Sequence, residues 1–524
     1  MTRNSDMTLP DGVPSDVLPP DVLPPDVLPL SRAGIDTYRQ PVVYMHADCH
    51  ICRAEGFAAR TRIQIDLDGR SVIATLNVVS GTGWLDHESA ALSDAAWTAL
   101  AASDGALARF SHPEPPASAS HIRAKAYGQA LDRAAFDSII ADTLDHRLSD
   151  LDLAAFVTAC AGDRLDLPET TALTQAMQAA GDTLDWGSAL VLDKHCVGGL
   201  PGNRTTPIVV AIVAAAGQLI PKTSSRAITS PAGTADTMEV MAPVDLDTRA
   251  LRRVAEAEGG CIVWGGKLNL SPADDLLIRI ERPLDFDSIG QLVASVLSKK
   301  AAVGATDVLI DMPVGPTAKV RSSQAADVLQ ARLTGVARAI GLTLVVHRSD
   351  GTRPVGRGIG PALEARDVLA VLRRDPGAPA DLRDRALDLA GFLLDMVPGA
   401  AAGSGRLQAA SLLKSGAAAA KFMAICAAQG GFREPGSALH RAPVLAATSG
   451  RITDIDNRLI ARIAKLAGAP RQPNAGVVLL AAPGDTVSAG EPLFEIHAET
   501  PGELAYAKEY AGGRSPAFTI AVMP

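Results

Sequence analysis

The sequence predicts a multidomain α/β protein, and three observations support that fold class. The chain has 524 residues, enough for three or four domains at about 100–200 residues each. Hydrophobic residues make up 47% of the chain and charged residues 20%, as in globular proteins with a sizeable core. After residue 188, short apolar segments alternate with helical segments, which is typical of a largely parallel sheet. The clearest predicted strands are 189–192, 308–310 and 344–346.

The segments on either side of this region predict further domains. Asp-Val-Leu-Pro recurs with a five-residue period, and such frequent prolines disfavour helices and sheets. We therefore expect residues 1–39 to be a disordered tail. The segment that follows alternates polar and apolar residues around a predicted hairpin turn at Asp68-Gly69, and Asp166 with Pro168 marks a helix start. The predicted domains are β-rich at 40–117, helical at 118–187, α/β at 188–430 and α+β at 431–524.

Composition excludes several classes of protein. The net charge of −9 argues against nucleic-acid binding, which usually requires a basic surface. The longest apolar run, 208–217, is shorter than the roughly 18 residues of a membrane helix, and no signal peptide is evident. Six cysteines in so long a chain do not indicate a disulfide scaffold. We therefore expect a reduced, cytoplasmic protein without a membrane or nucleic-acid partner.

Residues 193–206 form the segment that is richest in chemically useful groups, with the sequence Asp-Lys-His-Cys-Val-Gly-Gly-Leu-Pro-Gly-Asn-Arg-Thr-Thr. A strand leads into its glycines, and a helix is predicted from about Thr206. Backbone N–H groups at a helix start favour an anion, and Lys194 adds a positive charge. The segment is not a Walker A loop, because Val197 stands in place of its first glycine. A purely structural strand–turn–helix is the alternative interpretation.

Two more segments carry polar groups in patterns that favour the binding of a phosphate or a sugar. Residues 222–236 are rich in hydroxyl donors and include an arginine, which suits phosphate oxygens and sugar hydroxyls. From 279 to 299, Ser288, Gln291, Ser295 and Lys299 follow helical spacing and form one polar stripe. A solvated loop and a solvated helix face are the plainer interpretations.

At these three segments the chain resembles the thymidine/pyrimidine-nucleoside phosphorylase family. The motifs are Asp-Lys-His-x-x-Gly-Gly at 193–199, Ser-Arg-x6-Gly-Thr at 225–234 and Ala-Ser-Val-Leu-Ser-Lys-Lys at 294–300. Segments 222–230 and 356–367 look like the longer type 2 branch, which includes archaeal AMP phosphorylases.

The resemblance runs from about residue 40 to the C-terminus. It implies a nucleoside phosphorylase fold with an N-terminal β domain, a helical domain, a large α/β domain and a C-terminal α+β domain. The helical domain would include a return segment at 273–303.

The same resemblance implies a pentosyltransferase of pyrimidine metabolism that carries out reversible phosphorolysis. Thymidine and phosphate would give thymine and 2-deoxyribose 1-phosphate. AMP phosphorolysis, which gives a base and ribose 1,5-bisphosphate, is an open alternative, and phosphoribosyl transfer is a remoter one. Phosphate would be a substrate, with no cofactor and no metal. The partners would be a small nucleoside or nucleotide and phosphate, and the chain would form a homodimer or a larger homo-oligomer.

Site residues follow from the resemblance position by position. Asp287 would protonate the leaving base, with His195 as a competing acid because its unperturbed pKa is near 6.5. Cys196 stands where the family usually has a phosphate-binding serine, and a thiol is the weaker donor. The proposed phosphate and nucleotide contacts are Lys194, Gly199, Thr206, Ser224, Ser225, Arg226, Ala227, Ile228, Thr229, Ser230, Thr234, Arg279, Ser295, Lys299 and Lys319.

One further cluster lies outside these motifs. His46, Cys49, His50 and Cys52 stand close together in the sequence and are residue types that bind zinc. Their spacing does not fit a standard zinc finger, and no second pair of ligands lies nearby. We therefore expect ordinary structural residues here and no metal, while metal binding stays an open alternative.

Overall fold

The computed structural model shows a chain that folds as two compact units. The first unit contains the described residues up to Ala119 together with Asp142–Leu151. The second contains Ser120–Ala141 and the described residues from Asp152 onward. The described residues are 24–81, 83–227, 230–284, 286, 288–513 and 516–522.

The first unit is built around a six-stranded barrel. Its elements are β1 (Val27–Arg32), β2 (Val42–His46), α1 (His50–Glu55), β3 (Arg62–Leu67), β4 (Arg70–Val79), β5 (Ala90–Leu92), α2 (Asp94–Leu100) and β6 (Leu107–Ser111). The strands close in the order β1-β5-β2-β4-β3-β6. Every second side chain of β3 is buried, as expected for a strand with one face toward a core. The predicted hairpin is confirmed, because Leu67 pairs with Arg70 across Asp68-Gly69.

The prediction of a disordered tail over residues 1–39 is wrong for Val27–Arg32, which form β1. Leu28 and Leu30 are buried in the barrel core. Pro29 lacks an N–H, but the N–H of Leu30 donates to the carbonyl of Ala106 at 2.8 Å. One proline removes only one donor from a strand, so apolar burial outweighs the proline pattern. Residues 1–23 of the predicted tail lie outside the described residues.

After the barrel, the chain forms helices and then alternates helices with strands, mostly within the second unit. Residues 119, 142–144 and 150–151 of the helices named next belong to the first unit. The elements to residue 302 are α3 (Ala119–Ala126), α4 (Arg133–Leu144), α5 (Asp150–Ala159), α6 (Leu167–Ala179), β7 (Leu192–Cys196), α7 (Thr206–Ala215), β8 (Ile220–Ser224), α8 (Thr234–Met241), α9 (Thr248–Glu258), β9 (Gly260–Trp264), a 3-10 turn (Gly265–Lys267), α10 (Pro272–Leu284) and α11 (Ile289–Ala302). Both α10 and α11 pack against α6, so the chain returns to the helical region after the first strands. The domain boundaries themselves stay a prediction.

The remaining elements complete an α/β region and a smaller C-terminal region. They are β10 (Asp307–Val314), α12 (Ser323–Ala339), β11 (Thr343–Asp350), β12 (Gly358–Ile359), α13 (Pro361–Arg373), α14 (Ala380–Asp395), α15 (Gly405–Ser415), α16 (Ala417–Ala428), β13 (His440–Leu445), β14 (Gly450–Ile455), α17 (Asn457–Leu466), β15 (Gly476–Leu479), β16 (Thr486–Val487), β17 (Pro492–Ala498), α18 (Pro501–Ala511) and β18 (Phe518–Ala521). The multidomain α/β fold class is confirmed.

Two parallel sheets position the predicted anion loops. Strands β11, β10 and β7 form one sheet in that order, and β8 pairs with β9 in the other. The predicted strands 308–310 and 344–346 lie within β10 and β11. The strand predicted at 189–192 is displaced, because β7 begins at Leu192 and includes Asp193 and Lys194. Lysines from neighbouring elements neutralise Asp193, which lets this polar segment lie inside the sheet.

Two antiparallel sheets form the C-terminal region. One has the strand order β12-β15-β17-β13 and the other β16-β14-β18. Among the described residues, no single helix is long and apolar enough to cross a membrane. The bent pair α15 and α16 passes that test only by combined length and composition.

Candidate active site

Close backbone contacts shape the loop after β7. Gly199 has a φ of +84°, and a Cβ there would lie 2.3 Å from the backbone nitrogen of Lys319. Gly202 has a φ of +68°, and a Cβ there would lie 2.0 Å from the carbonyl oxygen of Val355. Only glycine fits both positions without moving the backbone. The helix predicted from about Thr206 is confirmed by α7.

Lys194 is buried beside this loop, with 1% of its surface exposed. Its Nζ lies 2.8 Å from Oγ1 of Thr205 and 3.4 Å from Oγ1 of Thr206. Burial lowers the pKa of Lys194 from its ordinary value. None of the ion pairs formed by the described residues includes Lys194. The charge of Asp311 acts on Lys194 electrostatically, although the two groups form no ion pair. A buried ammonium with no carboxylate in direct contact is costly, and a bound anion would offset that cost.

A second set of buried charges stabilises β7 from behind. Asp193 is fully buried, and its carboxylate lies 2.5 Å from Nζ of Lys300 and 3.5 Å from Nζ of Lys222. Burial alone would raise the pKa of Asp193, but the two lysines outweigh it and the pKa is lowered. The resulting ion cluster fixes β7 against β8 and α11, the elements that carry these two lysines.

His195 follows Lys194 on β7 and is surrounded by positive charge. Burial lowers its pKa well below the usual value, and Lys300, Lys222 and Lys299 lower it further. The imidazole is therefore neutral at neutral pH. It can accept a hydrogen bond or donate one from its single N–H, but it does not carry the extra proton of an imidazolium acid.

Hydrogen bonds tie the two anion loops together. Oδ2 of Asp236 accepts from the backbone N–H groups of Ala227 at 2.7 Å and Gly233 at 2.8 Å. Arg204, from the first loop, donates to Oγ1 of Thr234 at 2.8 Å and pairs with Glu364 at 2.7 Å. These bonds connect residues 227 and 233 to α8 through Asp236, and Arg204 to Thr234 at the start of that helix.

The serines of the second loop are accessible, and its arginine is engaged. Ser224 is partly buried at the end of β8, whereas Ser225 and Ser230 are exposed. Arg226 donates to both carboxylate oxygens of Glu239 and lies 4.8 Å from the ring centre of Trp264. Glu239 raises the pKa of Arg226. The arginine therefore has carboxylate partners within the protein.

Helices α10 and α11 contribute another cluster of charges. Nζ of Lys299 lies 3.4 Å from Oγ of Ser295 and forms an ion pair with Asp274. Burial, followed by the charge of Asp274, raises the pKa of Glu281 to about 7, while Lys319 and Lys299 oppose the rise. Glu281 is therefore protonated in a large fraction of molecules at neutral pH. A carboxylic acid that keeps its proton in this range suits general acid chemistry.

The thiol of Cys196 takes part in a polar network with Asp311. Nδ2 of Asn203 lies 3.4 Å from Sγ of Cys196 and 3.4 Å from Oδ2 of Asp311, and Ser349 donates to Oδ1 of Asp311 at 2.6 Å. Burial raises the pKa of the thiol to about 12. Burial alone would raise the pKa of Asp311, but the charges of Lys194 and Arg385 outweigh it, and hydrogen bonds from Ser349 and the neutral Cys196 thiol lower that pKa further. Cys196 is therefore a hydrogen-bonding group here and not a nucleophile.

The described contacts bring several predicted residues together. Lys194 contacts Thr206, Gly199 lies against Lys319, and Ser295 contacts Lys299. Arg279 lies on α10, one turn from Asp275 and near Glu281 in the sequence. Asp287, Ile228 and Thr229 lie outside the described residues, and their roles stay predictions.

Sequence reasoning missed several residues that the structure adds to this region. Lys300 was present in the motif but had no assigned role, and Asp311 follows a predicted buried strand, which could have pointed to it. Glu281 has no comparable signal, because its raised pKa depends on burial and on Asp274 from the same helix.

Three family models match the chain in sequence order. "Glycosyl transferase family, helical bundle domain" matches residues 119–181, and "Glycosyl transferase family, a/b domain" matches residues 188–418. "Pyrimidine nucleoside phosphorylase C-terminal domain" matches residues 451–512.

Relatives match almost the whole chain. A putative thymidine phosphorylase of Polaromonas sp. is 60% identical over 486 residues, which is 93% of this chain and 95% of the relative. A putative thymidine phosphorylase of Hahella chejuensis is 56% identical over 481 residues, 92% of this chain and 95% of the relative. The chain belongs to the thymidine phosphorylase family. The resemblance inferred from three sequence segments is confirmed, and membership of this family makes the chain a glycosyltransferase.

Among solved structures, anthranilate phosphoribosyltransferase from Thermus thermophilus matches with a TM-score of 0.48 and 19% identity. The match covers 59% of this chain and 98% of that one.

Proposed function

We propose that the protein cleaves a nucleoside N-glycosidic bond with phosphate, converting thymidine and phosphate to thymine and 2-deoxyribose 1-phosphate. One observation carries the proposal: Lys194 is buried and forms no direct ion pair with a described carboxylate, and two threonine hydroxyls lie at its Nζ. This arrangement suits an oxyanion that accepts from a cation and from hydroxyl groups. The names of the relatives support thymidine as the nucleoside.

The proposed reaction exchanges one bond at C1′ for another. A phosphate oxygen forms a bond to C1′, and the N-glycosidic bond breaks with its electron pair going to the base. Lys194, Thr206, Ser224 and Thr234 would hold the phosphate in line with that carbon, and this positioning lowers the barrier. Arg279, Ser295 and Lys299 would orient the base and sugar.

The departing base must gain a proton or a strong hydrogen bond. We propose Asp287 as the acid and assign His195 a positioning role, because the lowered pKa of His195 leaves it neutral. Glu281 is a second carboxyl candidate, since its pKa of about 7 allows it to hold a proton. General acid catalysis by such a group contributes typically about 10²–10⁴ in rate.

The state of Arg226 favours a nucleoside over a nucleoside 5′-monophosphate. A 5′-phosphate would need its own cation, and Arg226 is the guanidinium on the nucleotide loop. Its ion pair with Glu239 and its stacking on Trp264 occupy it within the protein. AMP is therefore the second candidate substrate. Phosphoribosyl transfer ranks below both, because the site carboxylates Asp193 and Asp274 are paired with lysines and do not form an open magnesium site.

The sequence also suggests the cofactor requirement, the oligomeric state and the location of the enzyme. We propose that the enzyme needs no cofactor besides its substrate phosphate, acts as a homodimer or larger homo-oligomer, and works in the cytoplasm. The six cysteines are all free in the structure, as in a reduced protein.

The proposed substrate is tested by measuring base release from a panel at fixed phosphate. The panel contains thymidine, uridine, cytidine, adenosine and the 5′-monophosphate of each. We expect thymidine to have the highest kcat/KM and TMP a much lower one. A higher kcat/KM for AMP than for thymidine would show that the enzyme is an AMP phosphorylase. In that case, an Arg226→Met variant would show whether this arginine binds the 5′-phosphate.

A further inference from the structure

We infer a binding site for one divalent transition metal of the zinc class in the first unit, formed by His46, Asp48 and His87. One ligand atom from each residue lies within 4.8 Å of the others. Imidazole nitrogen with a carboxylate oxygen is a donor set that zinc and its neighbours prefer, whereas magnesium and calcium prefer oxygen alone. The inference does not rest on the proposed reaction, whose residues belong to the second unit.

The barrel topology explains why these residues meet. His46 is the last residue of β2, and β2 lies between β5 and β4. The chain leaves β4 at Val79 and enters β5 at Ala90, so this connection passes the end of β2. It brings His87 against His46, with ring centres 3.6 Å apart. Asp48 follows two residues after β2.

A buried ring nitrogen at this place is not used by the described part of the protein. His46 is 4% exposed, and its Nε2 has no hydrogen-bond partner among the described residues. Buried polar groups in proteins nearly always have a partner. His46 can bind a metal through Nε2 if its proton moves to Nδ1, which gives up the 3.2 Å hydrogen bond from the backbone N–H of Asp48.

Asp48 supplies the carboxylate of the cluster and has an outer partner. Its Oδ1 accepts from Arg53 at 2.5 Å, within an exposed ion pair. Partners of this kind orient metal ligands in many sites. Zinc–nitrogen bonds of about 2.0–2.1 Å bring two nitrogens to about 3.3 Å in a tetrahedral site, so zinc binding must draw the ligand atoms together and move the rings of His46 and His87 apart from their present contact. Water would complete the coordination.

The structure separates this site from the sequence cluster of His46, Cys49, His50 and Cys52. Sγ of Cys49 accepts from the backbone N–H of Cys52 at 3.1 Å, as the cap of α1. His50 pairs with Glu88 at 3.1 Å. Only His46 belongs to both groups, and its partners come from the turn after β2 and the β4–β5 connection.

The test measures zinc and cobalt binding by the purified full chain after chelation and dialysis. Zn²⁺ affinity and stoichiometry come from competition with a chromophoric chelator, and Co²⁺ reports coordination through its visible absorption. We compare wild type with His87→Ala and Asp48→Asn, and use His50→Ala as a matched control that removes a nearby histidine. We expect one Zn²⁺ per chain, and at least about tenfold weaker binding in the first two variants, since even outer partners of metal ligands contribute about 10–100-fold.

Three results would overturn the inference. One is the absence of stoichiometric Zn²⁺ binding by wild type, and another is equal weakening by His50→Ala. The third is a cobalt spectrum with thiolate charge transfer that is lost in Cys52→Ser, which would assign the metal to the cysteines. Thermal unfolding without metal verifies that His87→Ala and Asp48→Asn are folded before binding is measured.

Discussion

Proton delivery to the leaving base depends on which group near it still carries a proton at neutral pH. His195 does not, because burial and three lysines keep its pKa well below the usual value. Glu281 carries a proton in part of the molecules at neutral pH, since its pKa is raised to about 7. Asp287 is assigned by family resemblance and comes two residues before α11 in the sequence. Desolvation by bound substrates favours the acid form of a carboxyl group, which is the form that the proposed role requires.

We expect Asp287→Asn to lower kcat by about 10²–10⁴ and to leave nucleoside affinity largely intact. Asparagine keeps the size of the side chain and can still donate a hydrogen bond, so binding should survive. His195→Ala should have a smaller effect on kcat, because a neutral imidazole is not the acid. Steady-state kinetics and nucleoside binding measured on both variants provide the comparison, with thermal unfolding as the control for folding.

Glu281→Gln tests whether Glu281, and not Asp287, is the general acid. If Glu281 donates the proton, the wild-type rate falls as pH rises through about 7, where this carboxyl loses its proton, and the glutamine variant loses both the rate and that pH dependence. A near-normal kcat in Asp287→Asn together with that behaviour would transfer the acid role to Glu281. Collapse only in His195→Ala would transfer it to the histidine.

Among whole elements, α6 depends on one buried carboxylate. Glu169 closes a capping box with Asp166 at the start of this helix. Its two oxygens also accept from Nζ of Lys125 at 2.6 and 2.7 Å, and the side chains of both residues are 4% exposed. The pair joins α3 to α6, against which α10 and α11 pack.

Glu169→Gln should destabilise the protein strongly, because it leaves the Lys125 ammonium buried without its counter-ion. Breaking a buried pair by removing one partner costs about 3–5 kcal/mol. Glu258→Gln is the matched control, since its pair with Lys421 is more exposed and such pairs contribute about 0–1 kcal/mol. Chemical denaturation of both variants measures the difference, and equal losses would show that the buried pair has no special role.

Elements with a clear local pattern were predicted from sequence, and elements set by distant partners were not. The Asp68-Gly69 hairpin and the starts of α6 and α7 follow from turn, cap and glycine signals within a few residues. The position of β7 does not, because Asp193 becomes compatible with a buried strand only through Lys222 and Lys300. Likewise, β1 was missed because its prolines obscure apolar positions that matter only once β5 and β6 lie beside it.

In the candidate site of the whole molecule, too, groups within short motifs were predicted from sequence, and contacts between distant elements were not. The motifs identified the lysine and hydroxyl groups around the proposed phosphate, because the residues of each binding loop lie close together in the sequence. They did not reveal that Arg226 is paired with Glu239, that Glu281 holds a proton near neutrality, or that Cys196 bonds to Asp311. Each of these facts depends on two or more elements of the second unit packing together.

Phosphorolysis at the Lys194 site is tested by measuring how base release depends on phosphate concentration in wild type and in Lys194→Met. We expect saturable dependence on phosphate with sugar 1-phosphate as product. A hydrogen bond to a charged group contributes about 1.5–3 kcal/mol, so Lys194→Met should weaken phosphate use by about 10–150-fold. Thermal unfolding of Lys194→Met is the control for folding, because the charge of Lys194 also lowers the pKa of the buried Asp311. Lys421→Met, on the surface pair with Glu258, should behave as wild type. Base release at full rate without phosphate, or unchanged phosphate use in Lys194→Met, would contradict the account.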